Sequence, residues 1–326
     1  MKNSIPVGKA RFLIYVNEIE VILNKAELAS NPAWTLYTEN MRKPLFMLEA
    51  LCRLYKKIKS HKKLKKLNEL FKDFEDRLGE IDFYDGFQKE FLSPNIPTSI
   101  LNYIKCKTDE KTEELNDHLK KEKWIGKHRN GMSKIHKELD EIKWLDEKDD
   151  TIAILDVYHD EIKKVIKKYK KKNPEFTSIE DDLHELRREL RWLSIYPQAL
   201  NGLIQLKPNQ VPPEFLLKYL TPEIINSPFN KMPDGTDIPH HILVNDNYFY
   251  ALSWMIAELG NLKDSGLKIL ILEESIAAVY NTKENVEELV YSLLNENQKT
   301  IPQILEHSQE ITTTFLSENI LQNIIA

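Results

Sequence analysis

Apolar residues recur with the period of an α-helix through most of residues 8–205, and this pattern limits the chain to helical folds. The first such stripe consists of Phe12, Tyr15, Val16, Ile19, Ile22 and Leu23. Only nine of the 326 residues are glycine, so the Gly content is well below the usual ~7%. No alternating strand pattern of useful length is present. The sequence therefore predicts an all-α protein with long helices, and the repeated pattern described below predicts two packed antiparallel helical bundles.

Prolines and glycines divide the predicted helices. We expect helices over about 8–28, 33–59, 62–91, 98–124, 132–145, 150–172, a stretch starting at Thr177 or Ser178, 244–262, 265–281, 283–296 and 301–324. Pro44 predicts a kink and Gly79 a break. Asn173-Pro174 predicts a boundary between residues 1–172 and 173–326. Seven prolines within 207–241 exclude a long helix there and predict an ordered excursion or a surface linker.

The strongest candidate for a functional segment is residues 183–193, which read Leu-His-Glu-Leu-Arg-Arg-Glu-Leu-Arg-Trp-Leu. On a helix, His184, Arg187, Arg188 and Arg191 share one arc, while Leu183, Leu186, Leu190 and Leu193 share another. The leucines are expected in the core, which turns the His/Arg arc outward or into a polar cleft. Guanidinium groups match phosphate and carboxylate, so this arc is a candidate anion site. A solvated helix face with Glu185 and Glu189 as partners is the alternative.

Charge is distributed unevenly along the chain. Residues 1–172 hold 36 Lys and Arg against 29 Asp and Glu, whereas residues 173–326 hold 10 against 22. The asymmetry is compatible with an anion-binding half, or with halves that pair within one chain or between copies in a homo-oligomer. The acidic second half argues against nucleic acid as a partner, because nucleic-acid binding requires a continuous basic surface.

A short pattern occurs twice: Leu78-Gly79-Glu80-Ile81-Asp82 and Leu259-Gly260-Asn261-Leu262-Lys263-Asp264. Each copy follows a helix with arginines, and together these residues resemble the CHAD family, the conserved-histidine α-helical domain. The resemblance implies two four-helix bundles in pseudo-repeat, each with a His-x-x-Arg helix and a later Leu-Gly-x-x-Arg-Asp turn. The second half fits this pattern best. In the first half, Glu39 stands where the family has His, and Asp82 where it has Arg.

The resemblance implies a non-enzymatic module that binds inorganic polyphosphate, or another phosphate polyanion, on a basic surface between the bundles. The anion-binding residues that we predict are His184, Arg187, Arg188, Arg191 and Lys263 in the second half, and Arg42, Arg53, Lys56 and Lys57 in the first. Because Glu39 and Glu49 lie among the latter, a module for protein interaction or structure that has lost its ligand is the alternative.

A metal-binding helical enzyme is the third alternative. Asp156-x-x-His159 and Asp181-x-x-His184 each place a carboxylate and an imidazole one helical turn apart. His240-His241 is a weaker candidate for a metal or phosphate contact. No catalytic motif is present, and we expect no cofactor. Cys52 and Cys106 lack metal-ligand spacing and are expected to be small core residues, and the absence of a signal or membrane segment favours a cytoplasmic protein.

Overall fold

The computed structural model describes residues 5–59, 62–92, 95–127, 129–170, 175–207, 211–282, 284–294 and 297–325. The fold is all-α, as predicted. Its helices are α1 Val7–Glu27, α2 Pro32–Thr38, α3 Arg42–Ile58, α4 Lys62–Glu90, α5 Thr98–Lys121, α6 Gly131–Asp140, α7 Glu147–Lys170, α8 Glu185–Ala199, α9 Pro222–Ile225, α10 Asp246–Tyr280, α11 Val286–Leu293 and α12 Ile301–Ser317. A π-helical turn, Ile179–His184, leads directly into α8. Within the described ranges, no helix combines the length and apolar character needed to cross a membrane.

Several predicted helix boundaries were wrong for local reasons. The helix expected over 33–59 is two helices, because Asn40 takes a left-handed backbone conformation with a φ of 57°. Pro44 consequently lies in the first turn of α3, where proline is tolerated, and it marks no kink inside a longer helix. Conversely, α4 continues through Gly79 and α10 through Gly260. Both Leu-Gly pairs therefore lie inside long helices and not in turns.

The chain also contains a small sheet that the sequence did not predict. Strands β1 (Ile204–Lys207) and β2 (Ile242–Asn245) pair in parallel, with Ile204 opposite Ile242. They bracket the Pro-rich segment, whose described part folds into 3₁₀ turns at Glu214–Tyr219 and Pro228–Asn230 around the short helix α9. The excursion predicted over 207–241 is thus an ordered segment within the described residues, and residues 208–210 lie outside them.

The chain forms two compact units, each assembled from two separate segments. Unit 1 comprises residues 1–150 and 272–293, and unit 2 comprises 151–271 and 294–326. The sequence-based division at 172/173 uses continuous segments instead, and that boundary lies outside the described residues. In unit 1, α4 packs against α3 and α5, and in unit 2 the π-helical turn packs against α8 and α12.

Counting charge by unit removes most of the asymmetry that the sequence halves display. Unit 1 holds 30 basic and 31 acidic residues, and unit 2 holds 16 and 20. The reason is that the Lys-rich end of α7 belongs to unit 2, while the acidic segment 272–293 belongs to unit 1. Neither unit is strongly basic, so a polyanion site requires a local concentration of cations.

Each unit has its own apolar core. In unit 1, the core includes Phe12, Tyr55 and Trp144, whose rings pack with centroids 5.5–5.7 Å apart. Beside them, Arg11 pairs with the fully buried Asp150, and both contact the hydroxyl of Tyr55. In unit 2, the four motif leucines are buried as predicted, namely Leu183, Leu186, Leu190 and Leu193. Cys52 is buried, but the prediction for Cys106 was wrong, because it lies on the exposed face of α5.

Candidate functional site

The candidate site in unit 2 centres on Arg187, in the first turn of α8. Its guanidinium packs against Gly260 of α10, and a methyl group built on Gly260 would lie 2.9 Å from Nε and 3.2 Å from Nη2. Such a close approach is possible only because residue 260 has no side chain. Nε of Arg187 donates to the carbonyl oxygen of Ile256 at 3.3 Å. We call Arg187, Gly260 and Lys263 the Arg187 site.

The charge of Arg187 is poorly compensated by its surroundings. Burial lowers the pKa of its guanidinium, and the nearby carboxylate of Asp264 only partly opposes this effect. Among the described residues, no carboxylate oxygen lies within ion-pair distance of Arg187, although the guanidinium remains a cation at any physiological pH. A partly buried cation without an ion-pair partner has lost hydration without gaining a matching anion.

Three of the other four predicted cations of unit 2 have carboxylates beside them. Nδ1 of His184 lies 2.7 Å from Glu180, Nη2 of Arg188 lies 2.6 Å from Glu185, and Nζ of Lys263 lies 2.9 Å from Asp264. Arg191 is partly buried on α8. Among the described residues, His184, Arg188 and Lys263 therefore have a carboxylate within ion-pair distance, whereas Arg187 has none.

In unit 1, the candidate residue Arg42 begins α3 and also packs against a helical glycine. A methyl group built on Gly79 of α4 would lie 3.2 Å from Nη2 of Arg42. Here, however, Nε and Nη2 donate to Glu75 Oε1 at 2.9 and 2.5 Å, and Nη1 pairs with Asp82. We call Arg42, Gly79, Glu75 and Asp82 the Arg42 site. Its guanidinium is occupied by the protein's own carboxylates.

The remaining predicted cations of unit 1 differ in their surroundings. Arg53 lies 3.6 Å from the buried carboxylate of Glu49, whose pKa is raised chiefly by burial. Lys56 is partly buried, and burial together with Arg53 lowers the pKa of its amine. Lys57 is exposed. Of the four predicted cations of unit 1, Arg42 and Arg53 thus have carboxylates beside them.

The structure brings together partners that sequence reasoning did not connect. Glu75 was not among the predicted site residues, yet Glu75, Gly79 and Asp82 are spaced i, i+4 and i+7, which places them on one face of α4. The same spacing on α10 selects Ile256, Gly260 and Lys263. The two carboxylates around Arg42 are thus replaced, around Arg187, by an apolar residue and a lysine. That spacing was the available sequence signal.

The predicted metal ligands do not come together in the part of the chain that the structure describes. Asp156 and His159 are exposed on α7, and His184 contacts Glu180 and not Asp181. Nε2 of His241 lies 2.8 Å from the carbonyl oxygen of Gly235, inside the Pro-rich segment. Over the part of the chain that the structure describes, no group of three or more His, Cys, Asp or Glu residues is placed to hold a metal ion.

Comparison with known proteins provides no relative from which a function could be transferred. No protein-family model, no curated protein and no solved structure gives a significant match to this chain.

Proposed function

We propose that this protein is a non-enzymatic helical module that binds phosphate-rich polyanions, such as inorganic polyphosphate, through the His/Arg face of α8 in unit 2. The observation that carries the proposal is Arg187, a partly buried guanidinium without a carboxylate in ion-pair contact among the described residues. Binding an anion there restores the interactions that the cation lost on burial.

Phosphate suits this surface better than a single small carboxylate. A guanidinium presents its N–H donors as a planar fork that matches two phosphate oxygens. Arg188 and Arg191 continue the same face of α8, and Lys263 lies one turn beyond Gly260 on α10. A chain of phosphates meets several of these cations at once, and its charge competes with the carboxylates now beside Arg188 and His184.

The test is titration of the full chain with inorganic polyphosphate at several salt concentrations. We expect binding that weakens as salt increases, and an affinity about 10–100-fold lower for Arg187→Gln, which removes a charge-assisted contact. The matched control is Arg77→Gln, because Arg77 is a partly exposed arginine of unit 1 that pairs with Asp73 and belongs to neither candidate site. Its affinity should equal that of the wild type.

Two outcomes would contradict the proposal. One is the absence of binding at low salt. The other is equal binding of citrate, which offers carboxylates at similar charge and would show that phosphate is not selected.

A protein-interaction module is the second candidate, and one observation favours it. Large apolar side chains of the Pro-rich segment and its flanks in unit 2 are exposed, including Val211 (94%) and Phe229 (74%). Exposed apolar surface is typical of contacts with another protein or with a second copy of the chain. Sedimentation over a range of concentrations tests self-association, and loss of association in Phe229→Ser would favour this candidate.

A further inference from the structure

The Arg42 and Arg187 sites share one local geometry. In each, an arginine near the start of a shorter helix lies over a glycine inside a long helix, and a leucine precedes that glycine. The arginine-to-glycine distance in sequence is 37 residues in unit 1 and 73 in unit 2. The Pro-rich segment lies between the two elements of unit 2 and accounts for the extra length.

The Arg42 site displays the kind of group that this geometry accepts. Two carboxylates supply oxygens to Nε, Nη1 and Nη2, so the guanidinium fork is filled by anions from positions four residues before and three residues after the glycine. At the same positions around Gly260, unit 2 has Ile256 and Lys263. Compared with unit 1, Ile256 puts an apolar side chain in the place of an anion, and Lys263 puts a cation there.

The charge of the Arg187 site therefore fits an oxyanion, because no described carboxylate lies within ion-pair distance of Arg187. Lys263 is mostly buried, with a side chain 16% exposed, and it contacts only the more exposed Asp264 among described carboxylates. Gly260 leaves the guanidinium in place, since a methyl group at residue 260 would displace it.

We infer that Arg187, Lys263 and Gly260 form a site for one phosphate group per chain, and that Glu75 and Asp82 are built-in occupants of the corresponding position in unit 1. The inference rests on the proposed function, and it adds the position of the phosphate, the stoichiometry and the reason that unit 1 does not bind. Arg187 and Lys263 contact the phosphate, while Gly260 is a positioning residue.

The experiment is calorimetric titration of the full chain with inorganic tripolyphosphate, with stoichiometry as the main readout. The wild type should bind one equivalent. Gly260→Ala should bind at least about tenfold more weakly, because its methyl group displaces a charged donor. Combining Gly260→Ala with Arg187→Gln should weaken binding no further than Arg187→Gln alone, whereas a purely structural effect of the methyl group would add to it.

Reciprocal substitutions test the correspondence between the sites. Ile256→Glu/Lys263→Asp places the unit 1 carboxylates in unit 2 and should abolish the wild-type site. Glu75→Gln/Asp82→Lys should open a second site in unit 1, which raises the stoichiometry to two and is lost again with Arg42→Gln. Asp73→Asn/Asp76→Lys is the matched control, since it changes the charge of the same helix by the same amount and should leave the stoichiometry at one.

Circular dichroism and the unfolding transition show whether each variant is folded. If Glu75→Gln/Asp82→Lys does not fold, Glu75→Gln/Asp82→Asn provides the same test with a smaller change in charge, because it also removes both carboxylates from Arg42. A wild type that does not bind tripolyphosphate overturns the proposed function and this inference together. Wild-type binding that is unchanged by Gly260→Ala and Lys263→Asp, or a stoichiometry of one in the folded unit 1 variants, overturns the inference alone.

Discussion

The Arg42 and Arg187 sites present the same arginine–glycine contact with opposite electrostatics. Arg42 donates to two carboxylates of α4, whereas Arg187 donates to one backbone carbonyl of α10. In unit 1, the contact is therefore an internal ion-pair network that contributes to folding stability. In unit 2, the same contact holds a desolvated cation at a cost in stability. Positions that cost stability are often retained for ligand binding, because stability and function place different demands on a site.

The largest difference that we expect between the two sites is in folding stability when each arginine is replaced by glutamine. Arg42→Gln leaves the carboxylate of Glu75, which is 9% exposed, without its cation. We expect a loss of about 1–3 kcal/mol in the free energy of unfolding. Arg187→Gln removes a desolvated charge that has no ion-pair partner among the described residues, so the loss should stay below about 1 kcal/mol. Urea denaturation followed by tryptophan fluorescence measures both changes.

Arg77→Gln is the control for the removal of an arginine charge. Its ion pair with Asp73 lies at the surface, so the change should be within about 0.5 kcal/mol. Equal losses for Arg42→Gln and Arg187→Gln would show that the two arginines have the same structural role, and the distinction between an occupied and an open site would be wrong.

A smaller effect should separate the two glycines. Alanine is the better helix former by about 0.5–1 kcal/mol in a helix interior. At residue 79, the new methyl group would lie 3.2 Å from Nη2 of Arg42, which two carboxylates hold in place, so strain should outweigh that gain. At residue 260, the methyl group meets the end of a side chain that makes one hydrogen bond among the described residues and can move away.

Gly79→Ala should therefore lower the midpoint of thermal unfolding, whereas Gly260→Ala should leave it unchanged or raise it. Differential scanning calorimetry of the two single variants measures the opposed shifts. A fall of similar size in both would mean that Arg187 is held as rigidly as Arg42.

The sequence predicted the features that depend on residues close together in the chain. Periodicity identified most of the helical segments, although not all of their bounds, and it identified the buried leucines of α8, including Leu186 and Leu190. It did not predict the contact between Arg187 and Gly260, because 73 residues separate them and the Pro-rich segment intervenes. The charge difference between the halves was misleading for a similar reason, since helices α7 and α10 contribute to both units and compactness does not follow chain order.

The sequence predicted only part of the candidate site, because it indicates where the charged residues lie in the chain but not which residues they contact. The predicted arc of His184, Arg187, Arg188 and Arg191 gave no indication of which cation has a carboxylate beside it. For Arg42, the signal was present in the spacing of Glu75, Gly79 and Asp82. That spacing indicates partners of Arg42 only once the packing of α3 against α4 is known.

The smallest predicted effect concerns Glu49, beside the Arg42 site, and depends on pH. Burial raises the pKa of its carboxyl group above the ordinary value, and the nearby Glu75 carboxylate adds to the effect, while Arg53 opposes it. The folded state consequently holds this proton more tightly than the unfolded chain, so the contribution of Glu49 to stability is fully present below the ordinary carboxyl pKa and is lost as pH rises through the folded pKa.

Glu49→Gln removes that loss. Its urea midpoint should exceed that of the wild type at pH 7 and approach it near about pH 4, whereas Glu69→Gln, at an exposed position of α4, should show no such convergence. A midpoint for Glu49→Gln below the wild type at pH 7 would mean that the ion pair with Arg53 outweighs the cost of burial, and that unit 1 gains stability from this carboxylate as it does from Glu75.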